Sequence, residues 1–288
     1  MNAIDVLPLL ARLTRKPDSH KGDYGKVLII GGADGMVGAP LLSGQAALHS
    51  GAGWVVIGFL SANAPVVMQT QPEIMLHQAD NIDFAAMHPD VIAIGPGMGT
   101  SEQARALLAQ LLLINIPLVI DADALNLLAT DDALLQLLRA RNAPSVLTPH
   151  PGEAGHLLQL SSQAIQTDRI AAIAALIKKT NAICVLKGSG SLIAAPEHAA
   201  EICQAGNPGM ATAGMGDVLT GIIAALIGQG IRNQLSAWDA TRLAVLLHAM
   251  AADSLVKQGI GPIGLTALEV AHGVRPLINH YANYTFST

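Results

Sequence analysis

The chain has 288 residues, 51% hydrophobic and only 13% charged, which excludes long disordered tracts and leaves enough apolar side chain for a large core. Sixteen basic against twenty-one acidic residues give a net charge of −5 with no basic stripe, so a nucleic-acid partner is not expected. Two cysteines, Cys184 and Cys203, are too few for a disulfide framework or a four-cysteine zinc site and fit a reducing compartment.

Residues 1–20 lack the basic start and apolar block of a signal peptide and read as a leading helical arm. Short runs rich in Val and Ile follow: Lys26–Ile30, Trp54–Phe59, Val91–Gly95, Pro117–Asp121, Ser145–Thr148 and Ile183–Lys187. Uninterrupted apolar runs of this length suit strands covered on both faces. Helix candidates alternate with them at Pro40–Ser50, Ser101–Leu113, Asp131–Arg139 and Ser161–Lys179. Asp217 to about Asn279 reads as helical, with breaks near Gly228–Asn233 and Gly259–Gly264. The charge-free stretch Gly35–Pro72 is interrupted by Ser43, Gln45, His49, Asn63 and several Gly and Pro, so it is no membrane span, and a soluble, cytoplasmic protein is expected. Strand–helix alternation without a repeat or linker predicts an α/β fold in one domain spanning 1–288, with a mainly parallel central sheet and helices on both faces.

In such sheets ligands bind beyond the carboxyl ends of the strands. Five unusual segments directly follow predicted strands: GGADGMVGAP, GPGMGTS, DADALN, TPHPGE and KGSGS. A composite site explains all five at once. The most informative stretch is Asn207–Gly221, NPGMATAGMGDVLTG, where small residues lead into an apolar helix. Gly214 and Gly216 permit a tight turn, and the helix N-terminus adds partial positive charge, which together make an anion cradle. Asp217 at its mouth is either an N-terminal helix carboxylate or a general base beside a bound phosphate. Neither a Walker loop nor the G-x-G-x-x-G spacing occurs, which disfavours a dinucleotide-fold dehydrogenase.

Together HKGDYGKVLIIGG, IGPGMG, DADALN, LTPHPGE, VLKGSG and NPGMATAGMGDVLTG, in this order, resemble the ADP-dependent (S)-NAD(P)H-hydrate dehydratases, a branch of the ribokinase-like superfamily. The resemblance runs from about His20 to the last helix. The family is often fused to a hydrate epimerase, for which this chain has no room, so a stand-alone dehydratase and a separate epimerase partner are expected. The resemblance implies repair of NADHX or NADPHX, nicotinamide dinucleotides hydrated at C6, with ADP as co-substrate giving AMP and phosphate, and an oligomer, a homotetramer in this family. Hydroxide is a poor leaving group because water has a pKa of about 15.7. A phosphate monoester, with a second pKa of about 6, leaves far more readily.

By this resemblance Asp217 is the catalytic base and also contacts the hydrate, together with Ala39, Gly97, Gly99 and His150. Lys187, Gly188, Ser189, Gly190 and Ser191 form the nucleotide segment with Gly214 and Gly216, and Glu153 helps to hold Mg²⁺. Each has a plainer reading. Lys187–Ser191 is also a turn between strands ICVLK and SLIAA, His150 a hydrogen-bonded structural group, and Glu153 a first-turn helix carboxylate. Ala39, Gly97 and Gly99 also suit ordinary helix-start and turn geometry. Asp121 and Asp123 are expected to cap the next helix with Asn126 and to shape the site floor, not to bind metal. Met36, Met98, Met210 and Met215 either touch a ring or fill gaps. Two other functions fit the anion cradle: an ATP-dependent small-alcohol kinase, and a nucleotide sensor without turnover.

Overall fold

A computed structural model describes residues 2–282; Met1 and residues 283–288 of the expected domain lie outside the described residues. The strands are β1 (Asn2–Ala3), β2 (Lys26–Gly31), β3 (Trp54–Phe59), β4 (Met75–Gln78), β5 (Val91–Ile94), β6 (Leu118–Ile120), β7 (Ser145–Leu147), β8 (Ile183–Leu186), β9 (Leu192–Ala195) and β10 (His198–Ile202). The helices are α1 (Gly38–His49), α2 (Phe84–Met87), α3 (Glu102–Leu112), α4 (Asp123–Thr130), α5 (Asp132–Arg139), α6 (Pro151–Leu158), α7 (Ser162–Thr167), α8 (Arg169–Thr180), α9 (Met215–Gly230), α10 (Ala237–Lys257) and α11 (Ala267–Tyr281).

The strands form one sheet in the order β1-β10-β9-β8-β7-β6-β5-β2-β3-β4. From β4 through β8 every neighbouring pair is parallel, whereas β9 runs antiparallel to both β8 and β10. Successive side chains of a strand point to opposite faces. Val27 and Ile29 of β2 accordingly join a core with α1, α9, α10 and α11, while Leu28 and Ile30 join a second core with α3 to α8. Both faces are covered, which is why the parallel strands read as unbroken apolar runs rather than as alternating ones.

Helix α9 is buried almost all round and packs closely on α1. A Cβ on Gly221 would stand 2.0 Å from the Ser43 carbonyl oxygen, so glycine sets the distance between these two helices. Ser43 Oγ then donates to the Asp217 carbonyl at 2.8 Å, tying the first turn of α9 to α1.

The structure corrects several boundaries. The leading arm is not an arm: β1 adds to the sheet edge, and a 3-10 helix at Leu7–Leu13 buries Leu10 and Leu13. Ser161–Lys179 is two helices, because Asp168 caps α8 by accepting from Ala171 N at 2.9 Å. The last helical region begins at Met215 rather than Asp217, and α9 continues through Gly228 to Gly230. Edge strand β4, strand β10 beside β1, and the short helices α4 and α6 are further elements that the apolar runs did not mark.

Candidate functional site

All the parallel strands end at one edge, so their following loops meet there. The chain runs β2-β3-β4 in one direction and resumes with β5 on the other side of β2, which makes a switch point between β2 and β5. Beside it, over β6 to β8, opens a cavity of about 730 Å³. Its wall includes Asp121, His150, Lys187–Ser191, Met215–Asp217, residues 203–208 and His248.

A charged cluster forms the floor. Asp121 is 1% exposed; its Oδ1 accepts from Lys187 Nζ and its Oδ2 from Thr220 Oγ1, each at 2.8 Å. Lys187 Nζ also lies 3.8 Å from Glu153 Oε2. Burial pulls the Lys187 pKa down, but Asp121 and Glu153 outweigh it, so the net shift is upward and the ammonium stays charged. Burial raises the Glu153 pKa against the pull of Lys187.

His150 is both helix cap and cavity wall. Its Nδ1 accepts from the N–H groups of Gly152 at 2.9 Å and Glu153 at 3.2 Å, while Glu153 Oε2 accepts from His150 N at 2.7 Å. This reciprocal capping leaves the ring proton on Nε2, 3.4 Å from Glu153 Oε1.

Gly214 takes the left-handed conformation at the start of α9, with φ 87°. A Cβ there would meet Leu42 Cδ1 at 2.6 Å, so the side-chain position of Gly214 is filled by α1. On Gly216 a Cβ would sit 3.2 Å from Lys187 Nζ, against the ion pair. Asp217 follows in the first turn, half-buried, and no donor among the described residues reaches its carboxylate. Burial and the Asp121 charge raise its pKa to about 6, against Lys187, with smaller upward contributions from Asp123 and Glu153.

Residues 187–191 join the antiparallel strands β8 and β9, so the segment is a turn, and it also lines the cavity. Sequence reasoning missed what stands behind it. The Arg169 guanidinium donates to the carbonyls of Leu186 at 3.0 Å, Gly190 at 3.1 Å and Lys187 at 3.3 Å. It also missed Thr220 and the anchoring of Asn207, whose Nδ2 donates to Asp253 Oδ1 at 2.9 Å. A lone Arg or Thr on a helix carries no sequence signal for such contacts, since its partners lie far along the chain.

Ala39, Gly97 and Gly99 fall outside the cavity wall, at the switch point. Ala33 N donates to Gly97 O at 2.7 Å, and a Cβ on Gly97 would meet Met36 O at 2.7 Å and Ala39 Cβ at 3.2 Å. Gly99 N donates to Asp123 Oδ2 at 2.9 Å. Asp121 and Asp123 therefore do not cap α4: Ala122, at φ 50°, occupies the cap position with no side-chain bond. The Asn126 side chain pairs with His156 instead. Among the described residues no group of three or more His, Cys, Asp and Glu could hold a metal ion. Met98 is a fully buried core residue, Met210 and Met215 line the cavity, and Met36 is 41% exposed.

A family model described as NAD(P)H-hydrate dehydratase matches residues 27–272. The chain is 43% identical over 277 residues to a bifunctional NAD(P)H-hydrate repair enzyme of Coxiella burnetii, a match covering 95% of this chain and 54% of that protein. It is 41% identical over 272 residues to an ADP-dependent (S)-NAD(P)H-hydrate dehydratase of Neisseria meningitidis, covering 92% and 88%. A solved ADP/ATP-dependent NAD(P)H-hydrate dehydratase from Bacillus subtilis, co-crystallized with ATP/Mg²⁺, aligns with a TM-score of 0.82 at 27% identity, over 98% of this chain and 99% of that one. The chain spans about half the length of the bifunctional relatives it matches.

Proposed function

The chain belongs to the NAD(P)H-hydrate dehydratase family, with a ribokinase-like fold, and from that premise we propose that it dehydrates the S-epimer of NADHX or NADPHX using ADP. The observation that carries this reading is the Asp217 carboxylate, free of donors among the described residues beside a helix N-terminus, with the cavity on one side and α1 on the other. A carboxylate kept next to an anion cradle serves proton transfer better than anion binding.

In the proposed reaction ADP lies in the cavity with its β-phosphate towards Gly216 and Lys187. The hydrate approaches from the switch point, past Ala39, Gly97 and Gly99, with His150 at the cavity wall. Asp217 takes the proton of the C6 hydroxyl as its oxygen attacks the β-phosphorus, and the bond to the AMP oxygen breaks. The new phosphate ester then leaves as phosphate with its C–O bond pair, while the ring carbon next to C6 gives its proton to water and its C–H pair forms the double bond of the dihydronicotinamide. The N–H groups of Gly214 and Gly216, the α9 dipole and Lys187 offset charge on the transferring phosphoryl group.

Between Asp121 and Glu153, Mg²⁺ fits Glu153: both Asp121 oxygens are engaged, whereas Glu153 Oε1 has only the His150 ring near it. Such a cation would be held by Glu153, phosphate oxygens and water, and would supply further neutralisation of phosphate charge. A separate epimerase would feed the opposite epimer into the same pool. The described residues include no helix long and apolar enough to cross a membrane, and cytoplasmic placement as a homotetramer is part of this proposal, tested by light scattering for its assembly.

The decisive assay mixes purified protein with hydrated NADH and Mg²⁺, with ADP, with ATP and with neither, and follows reduced-nicotinamide absorbance. Recovery with ADP, with AMP formed in equal amount, is the expected result. No recovery by folded protein that binds ADP would sink the proposal in favour of the small-alcohol kinase, and an Asp217→Asn variant that binds ADP unchanged beside an inactive parent would favour the sensor.

A further inference from the structure

Arg169 is half-buried, and its four hydrogen bonds all go to neutral oxygens: the carbonyls of Leu186, Lys187 and Gly190, and Gln166 Oε1 at 3.1 Å. No carboxylate among the described residues lies within ion-pair distance of it, unlike Arg105, Arg232 and Arg242. An unpaired guanidinium with most of its donors spent on one turn has a shaping task. The peptide unit is planar and trans, so the N–H of a residue points opposite to the carbonyl before it. Drawing the Lys187 and Gly190 carbonyls onto Arg169 therefore turns the N–H groups of Gly188 and Ser191 away from it. Neither N–H has an acceptor among the described residues, and both residues line the cavity. Gly188 also fits only as glycine: at φ 146° a Cβ would stand 2.6 Å from Arg169 Nη1.

We propose that Arg169 is a positioning residue for the nucleotide: its fork holds the 187–191 turn so that the Gly188 and Ser191 N–H groups are presented to an anionic phosphate in the cavity. This rests on the ADP reading above and adds to it a residue that never touches the ligand. The fork, rather than the charge, does the shaping, because one ammonium cannot reach both ends of the turn in one plane.

The test uses the full chain, with ADP titrated calorimetrically into wild type, Arg169→Lys and Arg169→Met, alongside steady-state kinetics. In both variants the ADP Kd and KM should rise by at least about tenfold, while kcat at saturating ADP and KM for the hydrate stay within about twofold. Amide exchange of Gly188 and Ser191 should accelerate in Arg169→Lys and Arg169→Met. Wild-type affinity in Arg169→Lys would show that charge suffices and would overturn the positioning role, as would unchanged ADP binding in Arg169→Met. Should Arg169→Met not fold, Arg169→Lys, which keeps the charge and most of the packing, carries the same test. Absence of ADP binding by the wild type overturns the nucleotide reading itself, a result distinguishable from failure of the Arg169 role alone.

Discussion

The carboxyl edge of the sheet has two halves that use glycine for opposite ends. At the β2–β5 switch point, glycine lets backbone touch backbone: a Cβ on Gly31 would stand 2.0 Å from Pro96 O, and one on Gly95 1.8 Å from Asp121 O. Over β6 to β8, Gly188 and Gly216 instead keep side-chain groups, Arg169 and Lys187, close behind an open cavity. The first half packs backbone against backbone beneath the switch-point loops, and the second is a wall that leaves room for a ligand. Glycine content alone does not separate the two; what the missing Cβ would have met does.

Substitutions should separate the halves, and Asp217, which stands where they meet, should show the largest effect. Asp217→Asn is expected to cut kcat by about 10²–10⁴-fold while ADP binding is kept or tightened, measured by turnover beside calorimetry. The same carboxyl sets a pH dependence. Its ionised form is the base, so kcat/KM should rise with pH up to about 6 and level off above, falling about tenfold per pH unit below. Stability runs the other way. The folded pKa lies above the unfolded value, so the stability contribution is full below about pH 4 and lost as pH rises through about 6. Asp217→Asn should therefore be more resistant to urea than wild type at neutral pH, and equal sensitivity there would refute the buried-charge account.

Lys187→Met removes the cation from Asp121 and Glu153 and leaves buried carboxylates unpaired, which should cost about 3–5 kcal/mol in urea unfolding and weaken ADP binding as well. Gly31→Ala should cost about 1–3 kcal/mol or more, because backbone must shift to admit the methyl, with little direct effect on ADP affinity. Gly35→Ala is the control at the small end. Its φ is 80° but nothing lies within 4 Å of the added Cβ, so only backbone strain of about 1 kcal/mol is expected.

Much of this architecture was legible in the sequence. Strands buried on both faces have no polar face to interrupt them, so the parallel strands from β2 to β8, β4 aside, stood out as Val- and Ile-rich runs. Strands β4, at one edge, and β10, next to the other, did not, since Met75–Gln78 and His198–Ile202 mix polar and apolar residues in a half-exposed setting. The site was legible as a set of loops and motif residues. Its subdivision was not: nothing in the residues placed Ala39, Gly97 and Gly99 at the switch point and Lys187 to Ser191 on the cavity. Asp123 looked like a helix cap, yet its carboxylate is drawn to Gly99 N, because the left-handed turn at Ala122 leaves the cap position without a useful side chain.

The sequence by itself determined the α/β class, the edge at which chemistry gathers, and the family, because hydrophobic period, glycine spacing and motif order are all local properties of the chain. Only the tertiary structure decided which groups face one another. Asp121 meets Lys187 and Thr220, 66 and 99 residues away, and Arg169 reaches the turn 17 to 21 residues beyond it. The raised Asp217 pKa is of the same kind: it comes from burial and from the carboxylates of Asp121, Asp123 and Glu153, against Lys187, and charge interaction depends on distance in space, not along the chain.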